Sequence, residues 1–156
     1  MSKAAQLIPV VAIVGPTASG KSALAVELAR FFNGEVVSAD SKQIYRYMSV
    51  GTAVPTEEER AGIPHHLLQF LNPDQGFSVA EYVELARKII FDIHARGKLP
   101  VLAGGTGLYV NSLLDNITFF DTKSDPALRR ELEQTAAEKG NQYLLDQLKG
   151  FDPQLA

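Results

Sequence analysis

The chain of 156 residues contains no cysteine and no tryptophan, and only 8% of its residues are aromatic. The lack of cysteine excludes disulfides, thiolate metal ligands and a thiol nucleophile. Because this composition suits a reducing compartment, we expect a cytoplasmic protein. Long hydrophobic runs are missing too, since the apolar run of residues 7–14 is interrupted by Pro9 and is too short to cross a bilayer. We therefore expect no membrane partner.

An excess of positive charge is also missing. Lys and Arg together number 15 against 18 Asp and Glu, which gives a formal net charge of −3. The chain has no global basic field of the kind that attracts nucleic acids, so any polyanion must be bound by a local site. The hydrophobic content of 46% is that of an ordinary globular protein, and the length suits one domain.

The order of the predicted elements is typical of a parallel α/β sheet. Residues 10–14 form a short apolar run rich in β-branched side chains, which predicts a strand covered on both faces. A helix begins at Ser22, and its spacing predicts that Leu24, Leu28 and Phe31 or Phe32 share the buried face.

Further strands and helices are predicted along the rest of the chain. In order, the sequence predicts a strand at 35–39, a long polar loop at 40–64 and a strand at 66–71. It then predicts a helix from the capping box Ser78–Glu81 to Gly97, a strand at 99–103 and a helix at 108–114. The Asp125-Pro126 pair then predicts the start of a charged helix that ends at Gly140. A second short helix is predicted at 141–149.

Residues 15–22 fit the phosphate-binding loop pattern G-x-x-x-x-G-K-[ST] between a predicted strand and a predicted helix. The eight residues are Gly15, Pro16, Thr17, Ala18, Ser19, Gly20, Lys21 and Ser22. In this pattern the backbone N–H groups surround an anion, Lys21 adds a positive charge, and the Ser22 hydroxyl is a ligand for Mg²⁺. The motif predicts a terminal phosphate or diphosphate with Mg²⁺ as cofactor, and it does not specify a nucleotide.

Asp40 follows the strand predicted at 35–39. The carboxyl ends of strands in an open α/β sheet lie around the ligand crevice, so we expect Asp40 beside the phosphate-binding loop. Two functional roles are open: a carboxylate that holds Mg²⁺ or its waters, and a general base. A purely structural alternative is an Asx turn or a helix cap.

The strand at 99–103 runs into Gly104, Gly105 and Thr106 without a carboxylate, which counts against a standard ATPase. These three residues provide either a second set of backbone donors, with Thr106 contacting a ligand, or a tight turn in which Thr106 caps the next helix. His65 and His66 are adjacent, so their side chains point to opposite faces of an extended segment. We expect them to be structural or edge-of-site groups and not metal ligands.

Five blocks resemble, in order and spacing, the tRNA dimethylallyltransferases, also called tRNA isopentenyltransferases. They are residues 15–22, residues 37–46 (VSADSKQIYR), residues 51–53 (GTA), residues 64–67 (PHHL) and residues 99–109 (LPVLAGGTGLY). The resemblance extends from about Val10 to Arg129. It implies a P-loop NTPase-like fold with a parallel sheet flanked by helices.

The resemblance also implies a reaction. The family transfers a dimethylallyl group from dimethylallyl diphosphate to N6 of the adenine immediately 3′ of the tRNA anticodon, so the phosphate-binding loop would hold the donor diphosphate and not ATP. By resemblance the catalytic residues are Asp40 as general base, Lys21 and Thr106. The residues implied to contact tRNA are Asp40, Ser41, Lys42, Gln43, Thr106 and Arg129.

The resemblance divides the chain into a P-loop core over residues 1–120 and the beginning of a helical tRNA-binding insertion over residues 121–156. Members of this family continue for roughly another domain's length, with a last strand, further helices and a Q-R-x-x-R block. We therefore expect a truncated form, and a monomer. Three alternatives are open: an isopentenyltransferase acting on free adenine nucleotides, a small-molecule P-loop kinase that binds ATP, and a non-catalytic fragment.

Overall fold

The computed structural model describes residues 7–49, 51–117, 119 and 125–155. The chain divides into two compact units, Met1–Phe119 and Phe120–Ala156. Among the helices of these described ranges, none is both long and apolar enough to span a membrane.

The first unit is a four-stranded parallel sheet flanked by helices. Its elements are β1 (Val11–Val14), α1 (Lys21–Phe31), β2 (Gly34–Ser38), α2 (Glu57–Arg60), β3 (His65–His66), α3 (Val79–Ala95), β4 (Leu99–Gly104) and α4 (Gly107–Leu114). The strand order is β1-β4-β2-β3, and all three pairings are parallel. The predicted parallel α/β architecture is confirmed.

Strand β4 lies between β1 and β2, which fixes where the strand ends meet. Val14 of β1 is in register with Gly104 of β4, and Ser38 of β2 is in register with Ala103 of β4. Because all three strands run in the same direction, the segments that follow them emerge at one edge of the sheet. The phosphate-binding loop, Asp40 and the 104–106 turn therefore start from neighbouring strands.

The main core lies where α3 and α4 pack against the sheet. Tyr82 of α3 is fully buried and stacks on Tyr109 of α4, with the ring centroids 4.0 Å apart. Its hydroxyl donates a hydrogen bond to the Ser38 carbonyl at 3.1 Å, which attaches α3 to the end of β2. Burial raises the pKa of the Tyr82 hydroxyl, so this group remains a donor at every physiological pH.

The predicted buried face of α1 is wrong. Leu24 and Phe31 are 47% and 81% exposed, whereas Ala25, Val26 and Ala29 are buried. The two alanines pack with Val36 of β2 and Val101 of β4, because small side chains let the helix approach the sheet closely. The helical period was correct, but the large residues do not mark the face that meets the sheet.

Two strand predictions are also wrong. In strand β1 the side chains of Ala12 and Val14, which share one face, are exposed, with Val14 at 57%, so β1 is not covered on both faces. The third strand is limited to His65–His66, because Leu67 and Gln69 have φ values of 56° and 49°. The left-handed backbone at these residues breaks the extended conformation.

The predicted start of α3 is confirmed. The backbone N–H of Ser78 donates to Glu81 Oε2 at 2.7 Å, and the backbone N–H of Glu81 donates to Ser78 Oγ at 3.2 Å, which completes the capping box. Within the loop predicted at 40–64, Glu57 to Arg60 form the short helix α2, which has no buried residue.

The second unit contains α5 (Pro126–Lys139) and α6 (Asn141–Phe151). Asp125 caps α5 as predicted, because its Oδ1 accepts hydrogen bonds from the N–H groups of Ala127 and Leu128 at 2.9 and 3.0 Å. Helix α6 continues through Gly150, where the sequence predicted its end. A single glycine costs only about 1 kcal/mol in a helix, which does not force termination.

Candidate functional site at the phosphate-binding loop

The loop after β1 has the backbone of an anion-binding turn. Ala18 and Gly20 have φ values of 63° and 82°, so the chain turns through two left-handed residues before α1. Helix α1 then begins at Lys21, and within the described ranges no side chain caps its N-terminus. Uncapped N–H groups at the start of a helix are suited to binding an anion.

Lys21 places its charge on this loop. Its ammonium group donates a hydrogen bond to the Pro16 carbonyl and lies 3.4 Å from Ser19 Oγ. Ser19 Oγ in turn donates to the same Pro16 carbonyl at 2.8 Å. Ser22 follows in the first turn of α1 and is exposed. The loop therefore combines an uncapped helix N-terminus, a cation and a hydroxyl.

A cavity of about 420 Å³ brings the loop together with Asp40. It is lined by Thr17, Ala18, Ser19, Gly20, Lys21, Ser22, Ala23, Asp40, Gln43, Thr52, Ala53, Pro55, Glu59, Ala103 and Gly104. The expectation that Asp40 lies beside the phosphate-binding loop is confirmed by this shared lining. The roles of these residues in binding and catalysis stay predictions.

The Asp40 carboxylate is fixed at one oxygen. Oδ1 accepts hydrogen bonds from the backbone N–H groups of Lys42 at 2.9 Å and Gln43 at 3.3 Å. The Asx-type turn considered from the sequence is therefore present, and it orients the carboxylate. Oδ2 has no hydrogen-bond partner among the described residues, so this oxygen is available to a proton donor.

Thr106 joins the two loops that follow β2 and β4. Its Oγ1 accepts a hydrogen bond from the Ser41 backbone N–H at 2.9 Å and lies 3.3 Å from Ser41 Oγ. The Thr106 backbone N–H donates to the Ala39 carbonyl at 3.1 Å. Thr106 occupies the N-cap position of α4, but its side chain does not cap that helix. The capping interpretation is wrong because the hydroxyl bonds to Ser41 instead.

Gln43 holds a segment to which the sequence analysis gave no role. Its Nε2 donates hydrogen bonds to the carbonyls of Thr52 and Ala53, both at 3.0 Å. Thr52 and Ala53 line the cavity together with Pro55. In the sequence, the only indication that residues 51–53 lie at the site was their place among the five blocks of the family resemblance.

In the first unit, three residues predicted to contact tRNA are not part of the cavity lining, namely Ser41, Lys42 and Thr106. Ser41 and Lys42 belong to the turn after Asp40, and Lys42 is exposed. Arg129 belongs to α5 of the second unit, where it is exposed and forms an ion pair with Glu133 at 3.1 Å. Their contacts with RNA stay predictions.

A charged cluster at the opposite end of β2 was missed by the sequence analysis. The buried carboxylate of Glu35 accepts hydrogen bonds from Arg96 at 2.5 and 2.9 Å, from Lys98 at 2.7 Å and from His66 at 2.7 Å. The Arg96 guanidinium, with the help of the other partners, holds the pKa of Glu35 well below its usual range despite burial. Arg96 and Lys98 lie in the connection between α3 and β4, and His66 lies on β3, so all three partners are far from Glu35 along the chain and no local pattern indicated the cluster.

The two histidines have structural contacts, as predicted. His66 bonds to Glu35, and His65 Nδ1 lies 2.8 Å from the Ile63 carbonyl. Burial lowers the pKa of His65, which favours its neutral form. Within the part of the chain that the structure describes, no group of three or more His, Cys, Asp and Glu side chains forms a metal site.

Comparison with known proteins identifies similar chains. The family model described as IPP transferase matches residues 43–156. The tRNA dimethylallyltransferase of Acetivibrio thermocellus is 57% identical over 147 residues, which cover 94% of this chain and 47% of that protein. The present chain therefore spans about half the length of this relative.

Solved structures give the same result. The crystal structure of the full-length tRNA isopentenylpyrophosphate transferase from Bacillus halodurans is 48% identical with a TM-score of 0.72, covering 96% of this chain and 49% of that one. A eukaryotic dimethylallyltransferase, described as acting on tRNA, is 31% identical with a TM-score of 0.79, covering 94% of this chain and 36% of that one. The P-loop NTPase-like fold of these enzymes is shared by the present chain.

Proposed function

Because the chain belongs to the IPP transferase family, we propose that it carries the donor site and the general base of a tRNA dimethylallyltransferase. Such an enzyme moves a dimethylallyl group from dimethylallyl diphosphate to N6 of the adenine 3′ of the tRNA anticodon. The observation that carries the proposal is the cavity that Lys21, Ser22 and Asp40 line together. It provides a diphosphate site and a carboxylate within one space.

The diphosphate of the donor binds at the phosphate-binding loop. The backbone N–H groups at the start of α1 and the Lys21 ammonium group donate hydrogen bonds to its oxygens. Lys21 already lies over the loop through its contact with Pro16. When the donor binds, the Lys21 ammonium group replaces its hydrogen bond to the Pro16 carbonyl with one to a charged diphosphate oxygen. A hydrogen bond between two charged groups is stronger than one to a neutral carbonyl.

The residues present fit Mg²⁺ as the cofactor. Ser22 supplies a hydroxyl at the loop, and the described residues contain no cluster of carboxylates that would enclose the ion. Mg²⁺ commonly takes few protein ligands and completes its shell with phosphate oxygens and water. When bound, it neutralises negative charge on the diphosphate.

The reaction replaces one bond with another at the allylic carbon. The bond from this carbon to the diphosphate oxygen breaks, the bond from N6 of adenine forms, and N6 loses a proton. Lys21 and the loop N–H groups stabilise the charge on the departing diphosphate. Asp40 accepts the proton at Oδ2, while Oδ1 stays fixed by the N–H groups of Lys42 and Gln43.

The acceptor base has to reach a donor held at the bottom of the cavity. An adenine in a stacked anticodon loop does not reach it, so we expect the base to be unstacked or flipped out. The proposed tRNA contacts remain Ser41, Lys42, Gln43, Thr106 and Arg129. Of these, Lys42 is exposed and lies two positions after Asp40. Action in the cytoplasm as a monomer is part of the same proposal.

The test is to incubate the purified chain with Mg²⁺ and radiolabelled dimethylallyl diphosphate, and to offer tRNA and AMP as acceptors in separate reactions. Label at N6 of the tRNA adenine supports the proposal. Label on AMP but not on tRNA replaces it with the adenylate isopentenyltransferase alternative. A parallel reaction with γ-labelled ATP detects a kinase, and absence of any transfer contradicts activity in this chain.

A further inference from the structure

The side chain of Gln43 uses both hydrogens of its amide within the protein. Nε2 donates to the Thr52 carbonyl and to the Ala53 carbonyl, at 3.0 Å each. On its other side, Oε1 accepts a hydrogen bond from Ser38 Oγ at 3.4 Å. One side chain therefore connects the end of β2 with a loop that lies nine and ten positions further along the chain.

The segment held by Gln43 does not adopt a regular backbone. Gly51 and Ala53 have left-handed φ values of 89° and 50°, and for alanine this conformation costs about 1–2 kcal/mol. The Thr52 hydroxyl makes a further local bond to the Met48 carbonyl. Because the segment has no strand or helix pairing, its position depends on such side-chain bonds.

This segment contributes Thr52, Ala53 and Pro55 to the lining of the cavity, and Ala53 and Pro55 have apolar side chains. Glu59 also belongs to the lining, where its carboxylate accepts a hydrogen bond from the Thr56 N–H in the capping box of α2. The phosphate-binding loop provides the polar side of the same cavity. A prenyl diphosphate has the same division, with a charged diphosphate at one end and a five-carbon hydrocarbon at the other.

We propose that Gln43 is a positioning residue that holds the wall formed by Thr52, Ala53 and Pro55 against the hydrocarbon of the donor. In this role it determines the affinity for the prenyl group and not for the diphosphate. This inference rests on the proposed function, and it gives Gln43 a task in addition to the proposed contact with tRNA. Both amide hydrogens of Gln43 hold the loop in this structure.

The test compares two ligands in two variants. Gln43→Met keeps the length of the side chain, adds no charge and removes the three side-chain hydrogen bonds. Gln75→Met is the control for the loss of a glutamine amide, since Gln75 Oε1 accepts one hydrogen bond from the Asn72 N–H and Gln75 is not part of the cavity lining. The probes are Mg²⁺ with an unreactive dimethylallyl thiodiphosphate and Mg²⁺ with inorganic diphosphate, both measured by calorimetry.

We expect Gln43→Met to weaken binding of the prenyl analogue about tenfold, which corresponds to the loss of one or two net hydrogen bonds. Binding of inorganic diphosphate stays within twofold, and Gln75→Met changes neither affinity. Equal weakening of both ligands, or of neither, overturns the proposal. A selective loss of tRNA affinity with unchanged donor binding assigns Gln43 to the RNA contact instead.

Limited proteolysis separates a failure of this proposal from a failure of the proposed function. Cleavage by proteinase K within residues 51–55 should be faster in Gln43→Met than in the wild type, with or without ligand, because the Thr52 and Ala53 carbonyls lose their hydrogen bonds. Unchanged cleavage overturns the role of Gln43 in holding the loop. If the wild type itself does not prefer the prenyl analogue over inorganic diphosphate, the proposed function fails, and the cleavage result still decides whether Gln43 holds the loop.

Discussion

Gly104 lies directly against the backbone of Ala39, so that a Cβ on Gly104 would lie 2.2 Å from the Ala39 carbonyl oxygen. The contact joins the ends of β4 and β2, where the Ala39 N–H donates to the Ala103 carbonyl at 2.8 Å. Asp40 is the next residue after Ala39. The distance between Asp40 and the phosphate-binding loop therefore depends on a glycine at position 104.

We predict that Gly104→Ala destabilises the protein by about 3 kcal/mol, because the new methyl group meets backbone atoms that cannot rotate away. The measurement is urea or thermal unfolding. Gly107→Ala is the control, since among the described residues its added Cβ meets no atom within 4 Å apart from its chain neighbours and the backbone of its own helix, and its stability should stay within about 0.5 kcal/mol of the wild type. Equal stabilities of the two variants would show that the strands separate without cost.

For Asp40→Asn we predict a loss of transfer without a loss of donor binding. Asparagine keeps an Oδ1 that accepts from the N–H groups of Lys42 and Gln43, but it does not accept the proton from N6. The transfer rate should fall about 10²–10⁴-fold, the usual contribution of a general base. Single-turnover transfer and calorimetry of the donor analogue check the two parts, and near-normal transfer would rule out Asp40 as the base.

For Lys21→Ala we predict a loss of both donor binding and transfer. The ammonium group is the cation of the loop, and hydrogen bonds between charged groups contribute about 1.5–3 kcal/mol, so affinity should fall at least tenfold. Lys88→Ala is the control, because the exposed Lys88 pairs with the exposed Glu84 on α3 and neither belongs to the cavity lining in the described part of the chain. Calorimetry with the donor analogue measures both. An unchanged affinity in Lys21→Ala would place the diphosphate elsewhere.

The Glu35 cluster predicts a stability effect that is separate from catalysis. Glu35→Gln removes a carboxylate whose side chain is only 3% exposed and leaves Arg96, Lys98 and His66 without their common acceptor charge. We expect the free energy of unfolding to fall by about 1–3 kcal/mol. This is at or below the usual cost of breaking a buried ion pair, because the partners of Glu35 retain contact with water. Glu84→Gln, in an exposed pair, should change stability by less than about 1 kcal/mol.

The same cluster predicts how stability depends on pH. The pKa of Glu35 is lowered in the folded protein, so its stabilisation is fully present above the unfolded carboxyl pKa of about 4.3 and is lost as the pH falls below that value. The acid side of the stability curve should therefore be less steep in Glu35→Gln than in the wild type. Unfolding measured from pH 6 to pH 2 checks this, and parallel curves would contradict it.

Several features predicted correctly from the sequence depend on neighbouring residues. The Ser78–Glu81 capping box and the Asp125 cap each bond within a few positions, so their patterns are visible in the chain. The place of Asp40 beside the loop of residues 15–22 followed from the parallel α/β pattern, and phosphate binding by that loop stays a prediction. The buried face of α1 was wrong because it depends on the sheet surface, which selects Ala25 and Ala29 over Leu24. A periodic pattern does not contain that information.

The features that the sequence analysis missed depend on residues far apart in the chain. Glu35 and Lys98 are 63 positions apart, and Ser41 and Thr106 are 65 positions apart. Only the strand order β1-β4-β2-β3 brings such residues together. Gln43 was assigned to RNA by resemblance alone, and its contacts with Thr52 and Ala53 appear only in the folded chain.

The measurement that tests the central claim most directly is thermal unfolding of the chain with Mg²⁺ and unreactive dimethylallyl thiodiphosphate, compared with Mg²⁺-ATP and Mg²⁺-diphosphate. A ligand at about 100 times its Kd adds roughly 2.7 kcal/mol, which raises Tm by several degrees for a protein of this size. We predict that the prenyl analogue gives the largest increase and that Lys21→Ala abolishes it. A larger increase with ATP, or no increase with any of the three ligands, would contradict a prenyl diphosphate site in this cavity.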